Sequence, residues 1–467
     1  MTASRAATLP SGKPADRPVE RAPGLLERDL RSVWHPFTQH SVWLDDDPVV
    51  IASGSGSHLV DVDGRRYIDG VSSLWVTTHG HREPAIDDAI RAQLDRLAHS
   101  TFLGLTHEPG IELAERLLAT APAALTRVFY AGDGASAVEA ALKMAYQAAA
   151  QRGEQRPLYV HVAEGYHGDT LGAVSVGGVE LFHATYRPIL LETRSISSPG
   201  LRGAAQSPAE RAAEVVDELR RLLADEGDRV SAVVVEPMVQ AAGGMLTHDA
   251  EFLRGVRELC SAHGALMIAD EVATGVGRTG RFWAVDHAGV SPDLLTCGKG
   301  VTGGYLPLSA VLATEEVYAA FLGRPEEGRT FFHGHTYTAN PLACAAAVAN
   351  LALMDERATV SRAAAIGERM GRRLAPLAGV PGVREIRRIG TMTGIEIGPY
   401  DPAARAGHAV CRLARERGVL IRPLGDVVVL MPPLGIADAV LDELVDVAVA
   451  SVTDVVGAIQ PATAGTA

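Results

Sequence analysis

At 467 residues the chain is longer than one small core can organise, and its composition is that of a soluble enzyme: 47% hydrophobic, 21% charged, 48 glycines. A net charge of −13 supplies no basic face for phosphate backbones and argues against a nucleic-acid binder. The four cysteines, Cys260, Cys297, Cys344 and Cys411, show no paired spacing and read as reduced thiols of a cytoplasmic protein.

Residues 1–24, rich in Ala, Pro and Arg, lack the apolar core of a signal peptide and are expected to form a disordered leader. Residues 25–84 contain Ser53-Gly-Ser-Gly56 and a strand pair around Asp63-Gly64, and are expected to pack with a small C-terminal domain. From 85 to 356, short β-branched runs alternate with amphipathic helical ones. That pattern predicts an α/β large domain, a mostly parallel sheet flanked by helices. Strands are expected at 126–130, 158–162, 232–236, 266–270, 294–297 and 308–313. Helices are expected at 137–150, 208–224 and 250–263, each with apolar residues three and four apart. A further alanine-rich helix at 341–355 is interrupted by Asn350 and is too short to span a bilayer.

Residues 357–457 read as a smaller α+β domain. Helices are expected at 363–377, 403–417 and 437–456, with strands at 383–389, 393–397, 419–421 and 427–431. Residues 458–467 are expected to be a flexible tail. The chain has no internal repeat.

Three pieces carry chemistry. In Gly132-Asp-Gly134-Ala135 a strand turns on small residues into a strong helix. The open N–H groups and positive end of that helix suit a phosphate, although a tight turn alone asks for the same residues. In Ala269-Asp270-Glu271 a hydrophobic strand ends in carboxylates, where ligands of open α/β sheets sit; a helix cap is the plainer reading. In Gly298-Lys299-Gly300 a lysine flanked by glycines follows an apolar strand. Desolvation would free its lone pair for Schiff-base formation, whereas a solvated surface lysine is the ordinary alternative.

With Gly165-Tyr166-His167-Gly168, Glu236-Pro237, the run Ile268–Gly280 and His333-Gly334-His335-Thr336, these pieces make residues 30–455 resemble the fold-type-I, class-III aminotransferases. The resemblance implies a large PLP-binding domain and pyridoxal 5′-phosphate bound to Lys299. It implies that Asp270 faces the pyridine nitrogen, Tyr166 stacks on the ring and takes part in catalysis, and Gly134 and Ala135 meet the phosphate. It also implies a homodimer in which His335 and Thr336 reach the phosphate across the interface.

Within the class, Trp34-His-Pro-Phe37-Thr, Val71-Ser-Ser-Leu74-Trp75 and Arg422-Pro-Leu-Gly resemble the diaminopelargonic acid synthases of biotin biosynthesis, which act on 8-amino-7-oxononanoate. By that resemblance Arg422 binds the substrate carboxylate, and Phe37, Leu74, Trp75, Tyr166, Lys299 and Gly334 line the substrate path. Many members of the family carry tyrosine, tryptophan and tyrosine where Phe37, Leu74 and Leu434 stand. The resulting apolar tunnel, with Gly304-Tyr-Leu-Pro307, resembles a branch that uses lysine in place of S-adenosylmethionine as amino donor. Lysine is accordingly expected to be a competent donor beside the family's usual one.

Other readings are weaker. Gly275-Val-Gly-Arg-Thr-Gly280 fits a dinucleotide fingerprint, but no clean helix or ribose-binding acid follows. His79-x-His81 and His333-x-His335 lack a third ligand, so no metal is expected. Glu236 is assigned no role. Another class-III ω-aminotransferase, or a non-catalytic PLP-binding relative, remains as an alternative; retention of Lys299, Asp270 and Arg422 weighs against the latter.

Overall fold

The computed structural model describes residues 24–459 apart from 201, 204 and 205. The expectations for the leader and the tail fall mainly on residues 1–23 and 460–467, which lie outside the described residues.

Seven strands form the central sheet: β1 (Leu125–Ala131), β2 (Leu158–Val162), β3 (Thr193–Ile196), β4 (Val230–Val235), β5 (Leu266–Asp270), β6 (Leu294–Cys297) and β7 (Ser309–Thr314). Their order is β1-β7-β6-β5-β4-β2-β3. β7 is antiparallel to both of its neighbours, while β6-β5-β4-β2-β3 run parallel. Every residue of β2, β4 and β5 is buried, as a parallel sheet covered on both faces requires. The edge strand β3, Thr-Arg-Ser-Ile, was not among the expected strands. Only its Ile196 is buried, so it carries almost no apolar signal.

Helices α1 (Gly134–Gln151), α2 (Pro208–Glu226), α3 (Ala250–His263) and α4 (Pro341–Glu356) pack on this sheet or beside it. Their ends are written locally. Ser207 and Glu210 form a capping box on α2. Asp249 caps α3, and Gly264 ends it at φ 66°.

After α4 come the helices Thr359–Leu374, Ala406–Glu416 and Asp438–Ala458, around a sheet of order β8-β9-β11-β10. Its strands are β8 (Val383–Ile389), β9 (Met392–Ile397), β10 (Arg422–Leu424) and β11 (Val427–Leu430). Ile366, Met370, Val428, Leu441 and Leu444 centre a core separate from that of the large sheet. The early strands Ile51–Ser55, His58–Asp61 and Arg66–Asp69 pair antiparallel, and Val419–Leu420 joins the last of them in parallel. Buried Arg278 ties these parts together, donating to Thr77 O at 2.9 Å and Pro432 O at 2.7 Å. Among the described residues no helix is long and apolar enough to cross a membrane.

Candidate active site

The carboxyl ends of β1, β4, β5 and β6 converge on a cavity of about 670 Å³, as the general rule for open α/β sheets requires. Where β1 turns into α1, Asp133 caps the helix. Its side chain accepts from Ser136 N at 2.9 Å, and its carbonyl accepts from Ala137 N. The next two residues, Gly134 and Ala135, begin the helix at the cavity wall. A Cβ on Gly134 would lie 2.7 Å from Val272 Cγ1, so only glycine lets the helix end approach this closely.

Asp270 is 4% exposed and anchored from three directions. Oδ1 accepts from Thr296 Oγ1 (2.9 Å) and Val272 N (3.0 Å), and Oδ2 pairs with His167 Nδ1 at 2.7 Å. Burial opposes protonation of His167, but the hydrogen bond and charge of Asp270 outweigh it and raise the imidazole pKa. His167 Nε2 is buried with no partner among the described residues.

Glu236, one residue past β4, accepts from Tyr166 N and Ala241 N, both at 3.0 Å. Burial pushes its carboxyl up to about 7, and nearby Asp270 adds to the shift. The Tyr166 hydroxyl donates to Asp169 Oδ2 at 2.8 Å; burial first, then Asp169, raises its pKa.

Lys299 opens a 3₁₀ turn, Lys299–Thr302, with φ 41°, in the left-handed region that side chains rarely adopt. Its Nζ stands 5.6 Å from the centre of the Trp75 ring. The side chain is enclosed by protein yet reachable through the cavity. Burial lowers its pKa against the opposing charges of Asp270, Glu236 and Asp169. A lowered pKa enlarges the neutral, nucleophilic fraction of the amine.

One chain therefore gathers Trp75, Gly134, Ala135, Tyr166, Asp270 and Lys299 around one cavity. Phe37 and Leu74 do not line it: they are 58% and 47% exposed, and Phe37 meets Phe182 edge-on at 5.5 Å. Gly334 and Thr336 are exposed and His335 half-buried, away from this wall. Arg422 lies half-buried on β10. Leu434, expected in the tunnel, is instead fully buried and faces Gly277. That corrects the expectation: the loop after β11 turns this side chain into the core.

The His333 and His335 rings meet edge-on at 5.2 Å, whereas His79 and His81 turn to different partners. His79 Nε2 lies 3.3 Å from Asn350 O, whereas His81 pairs with Asp69 at 2.8 Å. Sequence reasoning assigned no role to His167, Thr296 or Glu236. Thr296 is opposite Asp270 in the β5–β6 register, a relation visible only once the strands are paired.

The chain belongs to the class-III aminotransferases, whose family model matches residues 41–452. A protein of Nitratidesulfovibrio vulgaris named adenosylmethionine-8-amino-7-oxononanoate aminotransferase is 50% identical, covering 91% of this chain and 81% of that one. The crystal structure of the Methanocaldococcus jannaschii protein of the same name superposes with TM-score 0.88 at 37% identity, covering 92% of this chain and 99% of that one. An amine transaminase from an uncultivated Pseudomonas species, in its PLP-bound form, superposes with TM-score 0.85 at 34% identity, over 92% and 99% of the two chains.

Proposed function

We propose that this aminotransferase uses pyridoxal 5′-phosphate to convert 8-amino-7-oxononanoate to 7,8-diaminononanoate in biotin biosynthesis, with S-adenosylmethionine as amino donor. The substrate and donor are those in the names of the similar proteins from N. vulgaris and M. jannaschii. The observation that carries the chemistry is one cavity lined by an open helix N-terminus, a strand-end carboxylate and an enclosed amine. The residues fit the cofactor: no Cβ blocks the helix end at Gly134, and Asp270 is already held by three donors.

When bound, pyridoxal phosphate supplies an electron sink for breaking the bond between the substrate α-carbon and its hydrogen. The N–H groups of Gly134 and Ala135 receive the phosphate. Asp270 would favour the protonated state of the pyridine nitrogen, while His167 and Thr296 hold the carboxylate in place. Tyr166, its backbone fixed by Glu236, would pack on the cofactor ring. Lys299 would hold the cofactor and would move the proton at the substrate carbon. Arg422 takes the carboxylate of the keto acid as a planar, bidentate donor. Phe37, Leu74, Trp75 and Gly334 border the substrate path. In the proposed cytoplasmic homodimer, His335 and Thr336 of the partner subunit close the phosphate end.

The chain has three lysines, Lys13, Lys143 and Lys299, which makes the test simple. Borohydride reduction of the loaded enzyme is expected to fix the label on Lys299. Lys299→Ala is expected to fold and to lose turnover with 8-amino-7-oxononanoate. Label on Lys13 or Lys143 instead would overturn the assignment.

A further inference from the structure

Helix α4 is apolar along most of its length, yet it carries an asparagine, Asn350, at 0% exposure. An amide there is costly unless its hydrogens are used. Asn350 Nδ2 donates to Gly300 O and to Val301 O, each at 3.0 Å. These are the two peptide carbonyls that directly follow Lys299. Thr78 Oγ1 adds a third bond, to Gly300 O at 3.2 Å. The fit is close: a Cβ on Gly303, at φ 66°, would lie 2.7 Å from Asn350 Oδ1.

Lys299 holds a positive φ, a conformation that costs free energy and persists only where its surroundings over-determine it. The bonds inside the 3₁₀ turn, Val301 N to Gly298 O and Gly303 N to Gly300 O, do not by themselves tie it to the rest of the fold. The amide of Asn350 and the hydroxyl of Thr78 do. We propose that Asn350 is a positioning residue for Lys299, its amide clamping the turn so that the amine stays pointed into the cavity. This rests on Lys299 being the reactive amine.

Without the clamp, the turn relaxes toward ordinary backbone angles and the amine moves away from the face of Trp75. The test uses the full-length chain before cofactor is added. The rate of Lys299 acylation by an amine-reactive ester is followed against pH by peptide mass spectrometry, with exposed Lys143 as internal standard. Asp270, Glu236 and Asp169 are the charged groups facing Lys299, and they are the same in every variant.

In Asn350→Leu, which keeps the branching at Cγ but has no donors, the Lys299 midpoint is expected to rise by about one pH unit. After loading, kcat/KM is expected to fall on the order of 10–100-fold. Thr78→Val carries the same test if the leucine variant does not fold; it removes one donor at nearly constant shape and is expected to give a smaller shift. A lowered Tm with an unchanged Lys299 profile would mean that Asn350 only supports packing, and the proposal would be wrong. If borohydride labels another lysine in the wild type, the assignment of Lys299 fails instead, which separates the two errors.

Discussion

Asp270 is the best-anchored group in the cavity, with donors from β6, from its own loop and from the Gly165–Gly168 turn. That Asp270 and Lys299 stand out was legible locally, because each breaks the pattern of an apolar strand at its end. His167 and Thr296 were not, since their role consists of reaching Asp270 across 103 and 26 residues of sequence. Arg422 belongs to the same scale. It sits on a short strand, half-buried, and its proposed work is to receive one carboxylate. Arg422→Ala is expected to raise KM for the keto acid about thirtyfold, roughly 2 kcal/mol, and to change KM for the donor far less. Steady-state kinetics with each substrate varied in turn checks this. An equal loss for both would place Arg422 in the packing of the small sheet.

Two carboxylates, Asp270 at the end of β5 and Glu271 just past it, point to different places. Asp270 enters the cavity, while Glu271 turns inward at 0% exposure, accepting from Thr274 Oγ1 at 2.6 Å and Val285 N at 2.8 Å. Burial pushes Glu271 from about 4.5 up to about 7. A carboxyl raised on folding contributes stability that is fully present below about pH 4.5 and lost as pH rises through about 7. The full loss is about 3 kcal/mol. Glu271→Gln stays neutral throughout and is expected to gain in Tm on the wild type as pH goes from about 5 to about 8. Melting both proteins across that range is the check, and parallel curves would refute it. Strands as apolar as β4 and β5 announce themselves, whereas β3 is a strand mainly because β2 offers it an edge.

At the scale of the molecule the open matter is what passes through the cavity mouth. Phe37 and Leu74 stand exposed in the single chain, and in the proposed dimer they border a path shared by donor and acceptor in turn. S-adenosylmethionine brings a sulfonium and a flat base, which aromatic walls suit; lysine is slender and passes an apolar wall. Lysine is accordingly expected to serve as a second donor. Leu74→Trp is expected to shift relative kcat/KM toward S-adenosylmethionine by about tenfold, a usual size for one pocket contact. A donor panel that finds no lysine turnover and no response to Leu74→Trp would make the departures at Phe37 and Leu74 neutral.

The sequence by itself determined the α/β class and most strands of the large sheet, and it singled out Lys299, Asp270 and Gly134, which the fold brings to one cavity. Those depend on period, glycine placement and strand ends, all written within some fifteen residues. Only the tertiary structure decided that Leu434 turns inward, that His167 and Thr296 brace Asp270, and that Asn350 grips the turn after Lys299. Each of these is a contact between segments far apart in the chain. Local pattern records whether a residue will be buried, not which distant group its burial brings within hydrogen-bonding reach.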